Sequence, residues 1–350
     1  MSYNWDEARE RQARPLPPLE KPDIAGQTVV ITGANTGIGY EIAKYMAANG
    51  AARVILACRN EAKGRAAADI LTRETGCQPG TVEYRSLDLA SFASVRAFVQ
   101  AYKESGMPLH ILVNNAGMHS VGKITTDDGL DLLMQVDHIS PLLLTFLLLP
   151  IIESTTSAST PNKPGRLVWV TSEGAALPPF PESADPHPVR ALCAKQFTRE
   201  DEHYHYFTSK LLNLMCAIEL AQRLASSNVN IRVAAAHPGL VATQLGKKDI
   251  KGDHFQPVDL EAKYGMKPRT PEEGAKTILV PVTYDARKVW GRDWGEGVVE
   301  DMRLMPVFES MEIMKTYPMK AQDPELRRRV WTDTVELIGL KESEIDDRLL

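Results

Sequence analysis

From Gln27 onward, short apolar, β-branched runs alternate with stretches of helical length and helical apolar spacing. The runs are Thr28–Thr32, Arg53–Ala57, Val82–Ser86, Ile111–Val113, Leu167–Thr171 and Ile231–Ala236, and the stretches between them include Ala90–Glu104 and Tyr206–Ser226. A strand that is apolar throughout has both faces buried, and strands separated by helices pair in parallel. The pattern therefore predicts an α/β chain folded as a Rossmann-type, doubly wound three-layer α/β/α sandwich. Its mainly parallel sheet should hold about seven strands, with ligands at the carboxyl ends. No internal repeat competes with this reading.

With 350 residues the chain can build one large domain around a substantial core. The expected organisation is a flexible N-terminal arm at 1–23, a single domain at 24–340 and a tail at 341–350. The arm holds nine charged residues and four prolines and lacks the apolar core of a secretory signal. A net charge of −5 with both signs interspersed gives no basic footprint, so no nucleic-acid partner is expected. The most apolar segment, Leu142–Ile152, is bounded by Pro141 and interrupted by Pro150. It falls short of the ~20 residues a membrane-spanning helix needs. We read it as a buried core helix, with no transmembrane segment and a cytoplasmic location. Cys58, Cys77, Cys193 and Cys216 have no metal-ligand spacing and suit a reducing compartment, and no HExxH occurs, so no metal is expected.

Two segments break the rhythm. Leu177–Pro188 has five prolines in twelve residues, which excludes helix and central strand. Gly246–Thr270 is polar and rich in Lys, Asp and Pro. Each follows a strand, so substrate-covering loops are expected near 173–205 and 240–270.

Between the first strand and the first helix stands Thr32-Gly33-Ala34-Asn35-Thr36-Gly37-Ile38-Gly39. Glycines there allow a tight turn and close approach of a pyrophosphate, and a helix N-terminus offers its free N–H groups to phosphate. The glycine pattern alone is weak; its placement between strand and helix makes it a nucleotide site.

The spacing GxxxGxG resembles that of the short-chain dehydrogenases/reductases, and three later motifs agree. Asn114-Asn115-Ala116-Gly117 is similar to the family's NNAG. Tyr206-Phe-Thr-Ser-Lys210 matches its YxxxK, and His237-Pro238-Gly239 with Val241 and Thr243 resembles the segment beside the nicotinamide. The run Leu56–Asn60 and a late helix at Asp323–Leu337 resemble the retinol-dehydrogenase-like branch.

The resemblance implies a nicotinamide coenzyme held by Gly33, Asn35, Thr36, Gly37, Ile38, Gly39, Asn115, Ala116, Gly117, Pro238, Gly239, Val241 and Thr243, with Tyr206 and Lys210. Cys58 ends the second strand where a carboxylate would bind ribose hydroxyls and repel a 2′-phosphate. Arg59 follows at once and is shaped to pair with that phosphate, which points to NADP(H). Asp88, with Leu89 after the third strand, matches the residue that meets the adenine amino group, and could also cap the next helix.

Reduction of a ketone leaves an alkoxide that needs a proton. A free phenol has a pKa near ~10, and Lys210, one helical turn after Tyr206, should lower it. By the same resemblance Ser172 hydrogen-bonds the substrate oxygen. Val136-Asp137-His138-Ile139 aligns with a family VNHL whose asparagine carbonyl holds a relay water. Pro141 lacks an N–H and so frees the Asp137 carbonyl. Two readings stay open: that pair preserves the relay by another route, or the relay is lost.

The expected activity is reduction of a ketone or aldehyde, or oxidation of the alcohol, of a lipophilic molecule near Met118, Leu177, Phe180, Leu240 and Leu245. A mainly non-redox step, such as a cyclisation, and a non-catalytic cofactor-sensing role are the alternatives. The resemblance also implies a homodimer or homotetramer joined through the long helices Asp128–Ile152 and Tyr206–Ser226.

Overall fold

A computed structural model of the chain describes residues 4–22, 24–119, 122–157, 163–196, 202–227, 229–245, 260–290, 304–314, 317–344 and 346–349. The strands are β1 (Thr28–Thr32), β2 (Arg53–Cys58), β3 (Val82–Ser86), β4 (Ile111–Asn114), β5 (Gly165–Val170), β6 (Ile231–His237), β7 (Val307–Glu309) and β8 (Glu312–Ile313). They form one sheet in the order β3-β2-β1-β4-β5-β6-β7-β8, parallel except for the last pair. This is the doubly wound sandwich, with eight strands where about seven were expected. β7 and β8, of three and two residues, are too short to show a pattern.

Alternate strand residues enter opposite layers, as strand geometry requires. Val30, Ile55, Leu112 and Leu167 join one core with Leu143 and Leu148 and with Leu211 and Met215. Val29, Ile31, Val54, Val113 and Val168 join the other, with Ile42, Met46 and Ile278. The parallel register places Thr32 opposite Ala57 and Ile31 opposite Val113. The carboxyl ends of β1, β2 and β4 therefore meet at one edge, and Gly33, Arg59 and Asn115 follow them there.

The core helix runs through both of its prolines. Leu132–Met134, a π-helical turn at Gln135–Ile139 and the helix Ser140–Ser157 run on continuously, with Pro141 and Pro150 inside. Ser140 N–H donates to Gln135 O, the i+5 bond of a π turn. That turn lets Pro141 enter without breaking the helix. The stretch Leu132–Thr156 is long and apolar enough to cross a membrane, and 94% of its apolar window is buried within the protein.

The late helix Pro324–Ile338, capped by Asp323, lies on this layer: Trp331 meets Phe146 at 5.4 Å and Arg327 Nε pairs with Glu219 at 3.2 Å. The late helix thus touches both of the long helices within the chain. Of the tail, Leu349 is buried and its carbonyl accepts from Trp331 Nε1 at 2.9 Å.

The N-terminal arm is not simply flexible. Trp5–Ala13 (α1) is a helix capped by Asn4, whose side chain accepts from Asp6 and Glu7 N–H. Of the two loops expected over the ligand end, residues 197–201 and 246–259 lie outside the described residues. Within the described part, Pro181–Ala184 is a short 3-10 turn and Leu260–Tyr264 a short helix.

Candidate active site

The glycine turn forms as expected. Gly33 and Gly37 have φ of +66° and +62°, values that favour glycine. A Cβ on Gly33 would lie 3.0 Å from Ala116 Cα, and one on Gly39 would lie 2.5 Å from Asn115 Nδ2. The helix Gly37–Ala48 (α2) begins at Thr36, whose side chain makes no capping bond. Its first N–H groups therefore take no bond from the cap side chain. Ile38 packs on the core beneath.

Asn115 closes the turn from the neighbouring strand. Its Nδ2 donates to Thr32 O at 2.8 Å, and Thr32 Oγ1 accepts from Asn115 and Ala116 N–H at 3.0 and 2.9 Å. Thr243 stands opposite Gly37, 3.7 Å from where a Cβ would be, and Val241 bridges to Arg269.

At the end of β2 the Cys58 thiol is buried, which pushes its pKa to about 11, and it accepts from the Ala34 and Asn35 backbone. Arg59 beside it is exposed. Asp88 accepts from Ala90 N–H at 3.0 Å, while the following helix is capped by Ser91 and not by Asp88. Leu89 is core.

The proton-handling groups converge from three elements. Tyr206 and Lys210 lie one turn apart on the helix Glu202–Ser226, with the ammonium 5.4 Å from the phenol ring centroid. Ser172, just beyond β5, accepts from Gly174 N–H at 3.1 Å and hydrogen-bonds the Tyr206 oxygen. The Gly174 contact occupies a lone pair of Ser172 and leaves its O–H to point at Tyr206. His119 stacks on the Tyr206 ring at 4.1 Å and meets His203 edge-on at 5.7 Å.

Asp137 lies closer to the chemistry than its sequence position implied. Its carboxylate Oδ2 is 3.4 Å from Lys210 Nζ, and Oδ1 accepts from Met118 N–H at 2.8 Å. Gly117 leaves the space: a Cβ there would lie 2.9 Å from Lys210 Nζ and 3.4 Å from Asp137 Oδ2. Pro141 has no N–H to give the Asp137 carbonyl, and Asn213 Nδ2 donates to that carbonyl at 2.8 Å. The carboxylate, not the carbonyl, is what reaches Lys210.

Burial pushes the Tyr206 phenol above its ordinary value; Lys210 pulls it down and Asp137 pushes it up. The net direction is upward, so the lowering expected from Lys210 is outweighed in the protein alone. The charged form of Lys210 is itself disfavoured by burial, and Asp137 and Tyr206 together raise its pKa above the ordinary value.

Asn213 was missed by sequence reasoning although a signal existed. It lies seven residues after Tyr206 and three after Lys210, on the same helical face. Its Oδ1 accepts from His138 Nδ1 at 2.9 Å, and His138 Nε2 meets Thr334 Oγ1 of the late helix at 3.0 Å. Since the Asn213 oxygen can only accept, Nδ1 carries the imidazole proton.

Of the residues expected to line a lipophilic pocket, Met118, Leu177 and Leu240 are half-buried and Leu245 is exposed. Phe180 is a correction: its side chain is wholly buried in the core and offers no surface to a substrate. His187, Asp333 and Glu336 are close enough to share a cation, but Arg190 already pairs with Asp333 at 3.2 Å and Glu336 at 2.8 Å.

The short chain dehydrogenase family profile matches residues 27–184. The chain is 36% identical over 322 residues to dehydrogenase/reductase SDR family member 13 of Bos taurus, covering 92% of this chain and 75% of that protein. It belongs to the short-chain dehydrogenase/reductase family. It is also 32% identical to retinol dehydrogenase 14 of Homo sapiens, over 90% of this chain and 87% of that protein. This places it on the retinol-dehydrogenase-like side of this oxidoreductase family. Among solved structures, an uncharacterized protein from Mycobacterium Paratuberculosis shares the fold with a TM-score of 0.64 and 26% identity, covering 92% of this chain and 97% of that one.

Proposed function

We propose that this short-chain dehydrogenase/reductase uses NADP(H) to reduce a ketone or aldehyde of a lipophilic small molecule, or to oxidise the corresponding alcohol. The observation that carries the reading is the buried Tyr206 hydroxyl, bonded to Ser172 and backed by the Lys210 ammonium. A dinucleotide fits the glycine turn: α2 has no side-chain cap, and no Cβ could be added at Gly39 without moving Asn115. When bound, the reduced coenzyme supplies the hydride.

The chain's own residues do the rest. Ser172 O–H orients the carbonyl oxygen. Tyr206 gives its phenol proton to the oxygen as it becomes an alkoxide, a contribution of typically ~10²–10⁴-fold. Lys210 steadies the phenolate left behind. Arg59, exposed at the end of β2 where no carboxylate stands, supports a preference for the 2′-phosphate. Half-buried Met118, Leu177 and Leu240 support an apolar substrate.

The test is coenzyme oxidation with NADPH and with NADH against a panel of aldehydes and ketones, repeated with Tyr206→Phe. Turnover with NADPH that Tyr206→Phe abolishes, with coenzyme binding kept, is the expected result. A substrate transformed without nicotinamide oxidation would replace this reading with a non-redox one.

A further inference from the structure

The helix α1 lies at the ligand end of the sheet and touches the loops that follow β5 and β6 and the last residue of β7. Its last turn carries Arg11 and Gln12. Gln12 is buried, with 8% of its surface exposed, and its amide is fully used. Nε2 donates to Leu240 O at 2.9 Å and Lys267 O at 3.0 Å, and Oε1 accepts from Leu240 N–H at 3.1 Å. One side chain thus pairs with both backbone groups of Leu240, as a neighbouring strand would.

The turn it holds is shaped around it. Gly239 has φ +75°, and a Cβ there would collide with Gln12 Oε1. Arg269, also buried, locks the arrangement: Nη1 donates to Pro238 O at 3.1 Å and Nη2 donates to Arg11 O at 3.1 Å. Arg11 then spans Glu309 at 2.7 Å, the last residue of β7, and Glu173 at 3.3 Å, the residue after Ser172. Ala8, with 1% exposed, seats the helix.

We propose that Gln12 is a positioning residue for the nicotinamide half of the coenzyme site: it presets the Pro238–Leu240 turn, so that α1 is a working part of the catalytic site. This rests on the reading above that Pro238–Thr243 borders the nicotinamide. The helix lies outside the matched family segment of 27–184. The adenosine half, at Gly33–Gly39 and Arg59, is built from other elements and does not depend on Gln12.

The experiment compares NADPH with 2′-phospho-ADP-ribose (below, ADP-ribose), which lacks only the nicotinamide, by isothermal titration on the full chain and on Gln12→Met, which keeps the side chain's size but not its polar atoms. The expected result is a Kd for NADPH raised at least about tenfold, as for loss of one or two buried hydrogen bonds, with ADP-ribose changed by less than about twofold. Equal loss for both ligands, or loss for neither, overturns the proposal.

Gln12→Glu, which keeps an acceptor for the Leu240 N–H but turns a carboxylate on the Leu240 and Lys267 carbonyl oxygens, should weaken NADPH at least as much as Gln12→Met. Should neither variant fold, hydrogen exchange on the unaltered chain decides. NADPH should then slow the Leu240 amide and the α1 amides more than ADP-ribose does; equal protection overturns the proposal. If the unaltered chain binds both ligands with one affinity and NADPH protects nothing in 238–243, the nicotinamide reading itself is what fails.

Discussion

Asp137 and Lys210 form an ion pair at 3.4 Å beneath Tyr206, and both side chains are nearly inaccessible to solvent. Placing a carboxylate here costs desolvation, yet it keeps a buried ammonium charged beside the phenol. Asp137 also pushes the Tyr206 phenol upward, against the pull of Lys210. Asp137→Asn should therefore lower the Tyr206 pKa and move the rising limb of alcohol oxidation to lower pH. The check is kcat/KM against pH for both proteins. Asp137→Leu leaves Lys210 unpaired and should destabilise the fold by ~3–5 kcal/mol in denaturant melts.

Gly117 makes room for that pair. In Gly117→Ala the new methyl would meet the end of a flexible lysine, 2.9 Å from Nζ, and not a rigid wall. Melting should change little, by about 1 kcal/mol or less, while kcat falls because the ammonium is displaced. A variant that unfolds with unaltered kcat would contradict this assignment.

Arg59 is the expected discriminator between coenzymes. Loss of a charge-assisted bond of ~1.5–3 kcal/mol corresponds to about 10–100-fold in affinity. Arg59→Ala should raise KM for NADPH by that factor and leave KM for NADH nearly unchanged, as read from initial rates with each.

His138 links the site to the late helix and to pH. Burial lowers its pKa to about 4; Asn213 favours the proton and Lys210 opposes it. Between about pH 4 and the unfolded value of ~6.5 the unfolded chain binds the extra proton. Stability from this group is thus full above that window and is lost as pH falls through it, by ~3 kcal/mol. Urea melts from pH 7 to 4 should show that slope, and His138→Gln should flatten it.

How far the sequence reads is clear from particular elements. The first six strands were visible because each is a β-branched run bounded by turns, and Tyr206, Lys210 and the glycine turn because their spacing is itself the chemistry. The helix α1 was not: only Ala8 and Gln12 face inward, so it carries no apolar stripe. The core helix was expected to run through Pro141, but the π turn that admits the proline was not. Whether Pro141 breaks a helix depends on Asn213, 72 residues on, supplying the donor that the backbone lacks. Phe180 looked like a pocket residue because it stands in a proline-rich loop, yet the loop folds it inward through a left-handed backbone of φ +46°.

Transfer of label tests the central claim most directly. With NADPH carrying deuterium at nicotinamide C4 and an accepted ketone, the product should bear deuterium on the carbinol carbon, read by mass spectrometry. Tyr206→Phe should bind the coenzyme yet form almost none of that product. Unlabelled product, or labelled product from Tyr206→Phe at the unaltered rate, would contradict the account.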